Sequence, residues 1–302
     1  DMAYFARMGW NPLRISFWGD WENTDRAGNL IANEHLDLLD YLFAKARERG
    51  IYMLLSPITT YSAEWPDSMQ YTDSPGFANH FQKSELGTKD SAIAAQVNYV
   101  RQILNHVNPY TGTAYKDDPS IPFVEPINEP IHHSRDVQGS IRYIDALVEA
   151  VRSTGSKQLV FHNLTQDFAI SGAISRSRMQ GITLGWYPSG LVAGYELQGN
   201  FLRAVDQYVH PVPSELARLP RLVYEFDTGD IQAAYLYPAM TRTFRGVGAQ
   251  FVAMFSYDML RTASRNLGWQ THYLNLVYTP GKAVSAMISA EVMRRIPRAR
   301  SF

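Results

Sequence analysis

The chain has 302 residues, 45% hydrophobic and 19% charged, which is enough apolar material to bury the core of one large α/β barrel or two small domains. A formal net charge of −1 speaks against a nucleic-acid partner, which would need a basic face, and the absence of cysteine excludes disulfide frameworks, thiolate zinc sites and cysteine nucleophiles. No apolar run approaches the ~20 residues a membrane-spanning helix requires, so no span is expected.

Strand-like and helix-like segments alternate along the chain, the pattern of a parallel sheet built from β/α units. Residues 2–9 read as the end of a helix running into a glycine stop, so an upstream segment, with any signal peptide, is expected to have preceded Asp1. Residues 13–17 predict a short strand, and 34–49 a helix with Leu36, Leu39, Leu42 and Phe43 on one face, stopped at Gly50. Residues 51–55 predict the next strand. The interruption from 58 to 88 is too long for a plain connector, and its place after a strand puts it on the face where barrel active sites form. A helix is expected over 90–106, broken at 108–112, followed by a strand that ends in Glu129. A helix from about 140 to 153 and a strand over 158–162 come next. Then follow a strand over 181–187, a helical piece over 202–208 and a second glutamate-ending strand over 221–227. A helix from 231 to about 245, a strand over 250–255 and a closing helix over 280–294 complete the chain.

Seven strands fall one short of a (β/α)8 barrel, and the missing first strand belongs upstream of Asp1. Residues 1–302 are therefore read as a single (β/α)8 catalytic domain, consistent with excision from a longer protein. The alternative, an open doubly wound sheet, lacks a Gly-rich phosphate loop after any strand.

The most informative run is Phe123-Val124-Glu125-Pro126-Ile127-Asn128-Glu129-Pro130, a buried strand delivering a carboxylate to its end. Arg221-Leu222-Val223-Tyr224-Glu225-Phe226-Asp227 does the same several units later. Two carboxylates at the mouths of parallel strands suit acid/base and nucleophile chemistry on a glycosidic bond. Glu129 is the candidate acid/base and Glu225 the candidate nucleophile. Asn128 is expected to hydrogen-bond the sugar hydroxyl next to the reacting carbon, which demands a bulge or an early end to the pleat, because strict alternation would turn it away from Glu129. Tyr187 is expected to donate to Glu225. Arg14 lies inside an apolar strand and must be paired, orienting Glu225 below the sugar site or neutralising Glu125, two roles that are compatible. Trp18, Trp21, Trp65, Trp186 and Trp269 all follow or end strands, and with Tyr61 and Tyr257 they read as an aromatic platform around a cleft. His132 and His133 are read as substrate contacts; adjacent histidines point different ways, so no metal site is expected, and no cofactor is needed.

On these residues the chain resembles a clan A glycoside hydrolase, the group whose fourth strand closes with Asn-Glu and whose seventh closes with Glu. The resemblance includes Gly9-Trp10-Asn11-Pro12-Leu13-Arg14-Ile15, the loop Asp25-Arg26-Ala27-Gly28-Asn29-Leu30, Asn128-Glu129-Pro130, Tyr187 and Glu225. It implies a retaining double displacement by Glu129 and Glu225, with Arg14, Asn128 and Tyr187 in support. Where many members of family 5 carry a histidine after strand three and a tryptophan after strand eight, this chain has Pro57-Ile58-Thr59-Thr60-Tyr61 and Phe255-Ser256-Tyr257-Asp258. The tail from Thr271 to Ala283 is most similar to family 158, which implies β-1,3-glucan as the substrate and an immunoglobulin-like module after Phe302. A β-mannan or β-galactan specificity on the same barrel is the alternative, and a non-catalytic carbohydrate-binding barrel or a metal-dependent barrel hydrolase are further readings. A polymeric substrate implies a secreted, periplasmic or cell-surface location.

Overall fold

The computed structural model describes residues 1–59, 73–133, 136–165, 168–190, 195–207, 211–227, 229, 231, 233–266 and 274–300. In chain order the strands are β1 (Pro12–Ser16), β2 (Tyr52–Ser56), the small antiparallel pair β3 (Val107–Asn108) and β4 (Thr113–Ala114), β5 (Phe123–Val124), β6 (Leu159–Asn163), β7 (Gly181–Trp186), β8 (Arg221–Phe226) and β9 (Phe251–Met254). Seven of them form one sheet in the order β1-β2-β5-β6-β7-β8-β9, every neighbouring pair parallel. Helices Glu34–Arg47, Asp90–Asn105, Val137–Arg152, Ser171–Ile174, Leu202–Asp206 and Leu236–Gly246 return the chain between successive strands, and Pro280–Arg295 packs on Leu236–Gly246. This is the α/β barrel expected from the alternating pattern.

Local chemistry sets the helix ends. The Asn33 side chain accepts from Leu36 N at 3.1 Å, satisfying an orphan donor of the first turn, and Gly50 at φ 66° follows the other end of that helix in the left-handed region. Asp136 caps the helix Val137–Arg152 by accepting from Gly139 N at 2.6 Å. Alternation along β2 divides the core. Met53 and Leu55 pack outward with Phe43, Ile103 and Leu147, whereas Leu54 joins Phe161, Leu222 and Phe251 inside the barrel. Arg14 pairs in register with Leu54.

Three expected elements differ. The first glutamate strand keeps only Phe123 and Val124 in the ladder, because Pro126 has no N–H to continue it. Beyond β5 the backbone bonds Glu125 N to Leu55 O (2.9 Å) and Asn128 N to Ile58 O (2.8 Å) hold the chain beside β2, and Glu129 turns out of the pleat at φ 43°. The break at 108–112 is the turn of the β3–β4 hairpin. The helix expected from residue 231 begins at Leu236.

No strand precedes β1 among the described residues, so β1 and β9 are the edges of the sheet. Their Cα atoms come within 8 Å of one another, closer than the two spacings of ~4.8 Å each that an intervening strand would occupy. A mainly apolar cavity of ≈ 950 Å³ lies along this seam and reaches Arg14, Tyr224 and Glu225 but not Glu129. Among the described residues no helix is long and apolar enough to cross a membrane.

Candidate active site

Arg14 is the hub of the polar interior. Its side chain is 4% exposed, and a guanidinium so enclosed must be matched by acceptors. Nη1 donates to Glu225 Oε1 at 2.8 Å, Nη2 to Asn128 Oδ1 at 2.6 Å, and Nε to Glu125 Oε1 at 3.0 Å, with a further short Nη2–Glu125 contact. The two roles weighed for Arg14 therefore coexist. Burial alone would lower its pKa, but Glu125 and then Glu225 outweigh that and hold the guanidinium charged. Thr183 donates to the other oxygen of Glu125, so this fully buried carboxylate is satisfied from both sides.

Glu225 sits in β8 and is 6% exposed. Tyr187, directly after β7, donates to its Oε2 at 2.7 Å while Arg14 holds Oε1. Burial pushes the carboxyl up to about 7; Arg14 and Tyr187 pull it down, and the charges of Glu129 and Glu125 add to the rise. Glu225 thus gives up its proton at a higher pH than an ordinary carboxyl. If it acts as a carboxylate, kcat/KM is expected to rise through an acidic limb near pH 7, measured on the free enzyme at low substrate. The same shift has a stability consequence. Between the ordinary value of 4.5 and about 7 the folded protein holds a proton that the unfolded chain has released. Stability from this group is therefore fully present below 4.5 and is lost as pH rises to 7, by up to about 3 kcal/mol. Urea midpoints at pH 5 and pH 8 should show this loss in the wild type and a smaller one in Glu225→Gln.

Glu129 follows the irregular turn after β5 and is half-buried, its Oε1 accepting a short hydrogen bond from the Tyr224 hydroxyl. Asn128 beside it is fully buried, with its amide oxygen on Arg14 and its nitrogen 3.4 Å from Thr59 O. The early end of the pleat brings both residues to one side, as their adjacency required. Lys83, in the short 3-10 turn Lys83–Glu85, lies within electrostatic reach of both glutamates; burial lowers its pKa, and Glu129 and Glu225 oppose that lowering.

The aromatic platform is smaller than expected. Trp18 is half-buried and lines the cavity seam. Trp21 is 4% exposed, too enclosed to offer a ring face to a ligand. Trp186 is 5% exposed and turns toward the helices, its ring edge-on to Phe244 at 5.9 Å. The reason is alternation: Trp186 and Tyr187 are successive, and Tyr187 points to Glu225. Trp186→Ala is expected to lower stability by about 3–5 kcal/mol while leaving KM within twofold, read by urea unfolding and steady-state kinetics. Tyr257 is tied into the wall, its ring edge-on to Phe5 at 4.5 Å and its hydroxyl donating to Asp1 Oδ1 at 2.7 Å. His132 turns inward, with Nε2 2.9 Å from His162 Nε2, and burial, helped by His133, lowers its pKa to about 4. His133 is exposed, so the two neighbours do diverge. Tyr61, Trp65 and Trp269 lie outside the described residues. Among the described residues no group of three or more His, Asp or Glu side chains is placed to hold a metal ion.

Sequence reading overlooked Tyr224, Lys83 and His162. For Tyr224 a signal existed in Gly185, since a glycine inside a strand marks a bulge or a close approach.

The strand order, the parallel register and the helical returns define an α/β barrel, a fold shared with solved structures of low sequence identity. Its solved neighbours include an endo-beta-1,4-mannanase from Thermotoga petrophila (TM-score 0.68, 15% identity, 99% of this chain and 74% of that one) and an endo-1,4-beta-mannanase from Rhizomucor miehei (TM-score 0.65, 16% identity, 97% and 89%). Among curated proteins, the chain is 33% identical over 125 residues to mannan endo-1,4-beta-mannosidase 4 of Oryza sativa subsp. japonica, and 27% identical over 216 residues to mannan endo-1,4-beta-mannosidase 1 of the same organism. These matches cover 40% and 68% of this chain, and the chain spans only 27% and 45% of those relatives. No protein-family model matches the chain. The narrower resemblance to family 158 is not supported by these relatives, whose names are those of 1,4-mannan enzymes; it rested on one short tail after the last strand rather than on the site.

Proposed function

We propose that this protein is a retaining β-glycoside hydrolase acting on a β-1,4-linked mannan-type polysaccharide. The observation that carries the mechanism is the unequal setting of two glutamates in one polar cluster. Glu225 is enclosed and held at both oxygens by Arg14 and Tyr187, as a carboxylate that must attack from one direction requires. Glu129 is half-buried at the turn after β5, where a group that exchanges protons with a leaving oxygen and then with water belongs.

In the first step Glu225 attacks the anomeric carbon while the glycosidic C–O bond breaks and the leaving oxygen takes the Glu129 proton. In the second, Glu129 removes a proton from water as that oxygen attacks the same carbon and releases Glu225. Each step inverts, so the configuration is retained. Arg14 and Tyr187 fix the direction of attack and stabilise Glu225 as it becomes the leaving carboxylate.

The mannan assignment is supported by the names of the relatives, and it replaces β-1,3-glucan as the favoured substrate. Digestion of mannan, laminarin and galactan with product sizing, and proton NMR of the first-formed anomer, tests it. Short β-configured manno-oligosaccharides are the expected products. Cleavage of laminarin alone would sink the substrate, an α first product would sink the mechanism, and binding without hydrolysis of any polymer would leave a carbohydrate-binding barrel.

A further inference from the structure

The register between β7 and β8 slips at one point: Leu184 pairs with Val223 and Gly185 with Glu225, so Tyr224 is passed over. An alternating strand would turn Tyr224 away from Glu225. The bulge instead admits both side chains to the polar interior, where Tyr224 is 1% exposed. Three contacts define its place. Its hydroxyl donates to Glu129 Oε1, the Arg14 guanidinium carbon lies 4.7 Å from its ring centroid, and its outer ring atoms lie where a Cβ on Gly185 would come within 2.9 Å. Gly185 thus clears the space that the phenol occupies, and the cation over the ring holds it there.

We infer that Tyr224 is a positioning residue that fixes which oxygen of Glu129 exchanges protons with substrate, an assignment that rests on the hydrolase reading above. With Oε1 occupied by the phenol O–H, a proton on Glu129 resides on Oε2, free to meet the glycosidic oxygen. When Glu129 is ionised, the same donor bonds a full negative charge and is stronger for it, so it favours the carboxylate. Tyr224 therefore eases the return of Glu129 to the base form needed for the second step while setting how readily it donates in the first. Among the described residues, the titratable groups that face Glu129 are Tyr224 and Glu225 from β8 and Lys83 from the turn Lys83–Glu85. Of these, only Tyr224 makes a hydrogen bond to it that the structure describes, so removing one hydroxyl changes that bond and no formal charge.

The test is Tyr224→Phe, which keeps the ring on Arg14. On mannan, kcat is expected to fall about tenfold with KM within threefold, the scale of one hydrogen bond to a charged group. The basic limb of kcat/KM should move to higher pH. On 2,4-dinitrophenyl β-mannobioside, whose leaving group needs no proton, kcat/KM should stay at the wild-type value. Gly185→Ala, which crowds the ring, is expected to move the basic limb in the same direction. A basic limb superimposable on the wild type, or an equal loss on the dinitrophenyl substrate, overturns the inference. Titration of the Glu129 carboxyl by carbon-13 NMR reads the same shift without turnover. A wild type inactive on every glycan would therefore strike the hydrolase reading, whereas an unmoved Glu129 titration in Tyr224→Phe would strike this one.

Discussion

Glu225→Ala is expected to lower turnover of mannan by roughly four to six orders of magnitude, the scale on which removal of a covalent nucleophile acts. The argument is geometric. Arg14 and Tyr187 each hold one oxygen of Glu225, which is 6% exposed. Glu125 shares Arg14 but is fully buried and committed to Thr183. Truncation leaves a small void lined by two hydrogen-bond donors, which is a site for an anion. Azide with an activated aryl β-glycoside is therefore expected to restore turnover and to yield the glycosyl azide of inverted configuration, identified by NMR. Near-normal activity of Glu225→Ala on mannan, laminarin and galactan together would end the assignment.

Glu129→Ala is expected to act differently, with kcat/KM on mannan falling by about 10²–10⁴ because a sugar alkoxide cannot leave unprotonated. With a dinitrophenyl leaving group the first step needs no acid, so kcat/KM should remain close to the wild type while kcat drops as the glycosyl-enzyme accumulates. Azide should then attack from the face that Glu129 served and give a glycosyl azide of retained configuration. Opposite configurations from the two variants would assign each glutamate its step; the same configuration from both would contradict the division of roles.

Much of this is legible in the amino-acid sequence. Alternating apolar runs and glycine stops marked the β/α order, since helix and strand periodicities depend only on local spacing. Glu129 and Glu225 stood out because a carboxylate closing an apolar strand is rarely there without a purpose. The need to pair Arg14 was equally plain, as an enclosed guanidinium demands acceptors wherever the chain goes. The aromatic platform misled for a related reason: position after a strand does not say which way a ring points, and Trp21 and Trp186 went into packing while Tyr257 was tied to Asp1.

Residue order alone was sufficient for the parallel sheet, for Glu225 near the end of its strand and for the obligation to neutralise Arg14, because each follows from a period or from the cost of burying a charge. It could not show that Arg14 would serve Glu125, Glu225 and Asn128 at once, that Glu129 would leave the pleat at a positive φ, or that a slip opposite Gly185 would bring Tyr224 onto Glu129. Those outcomes join residues up to 211 positions apart, and they depend on register and ring placement that exist only once the strands lie side by side.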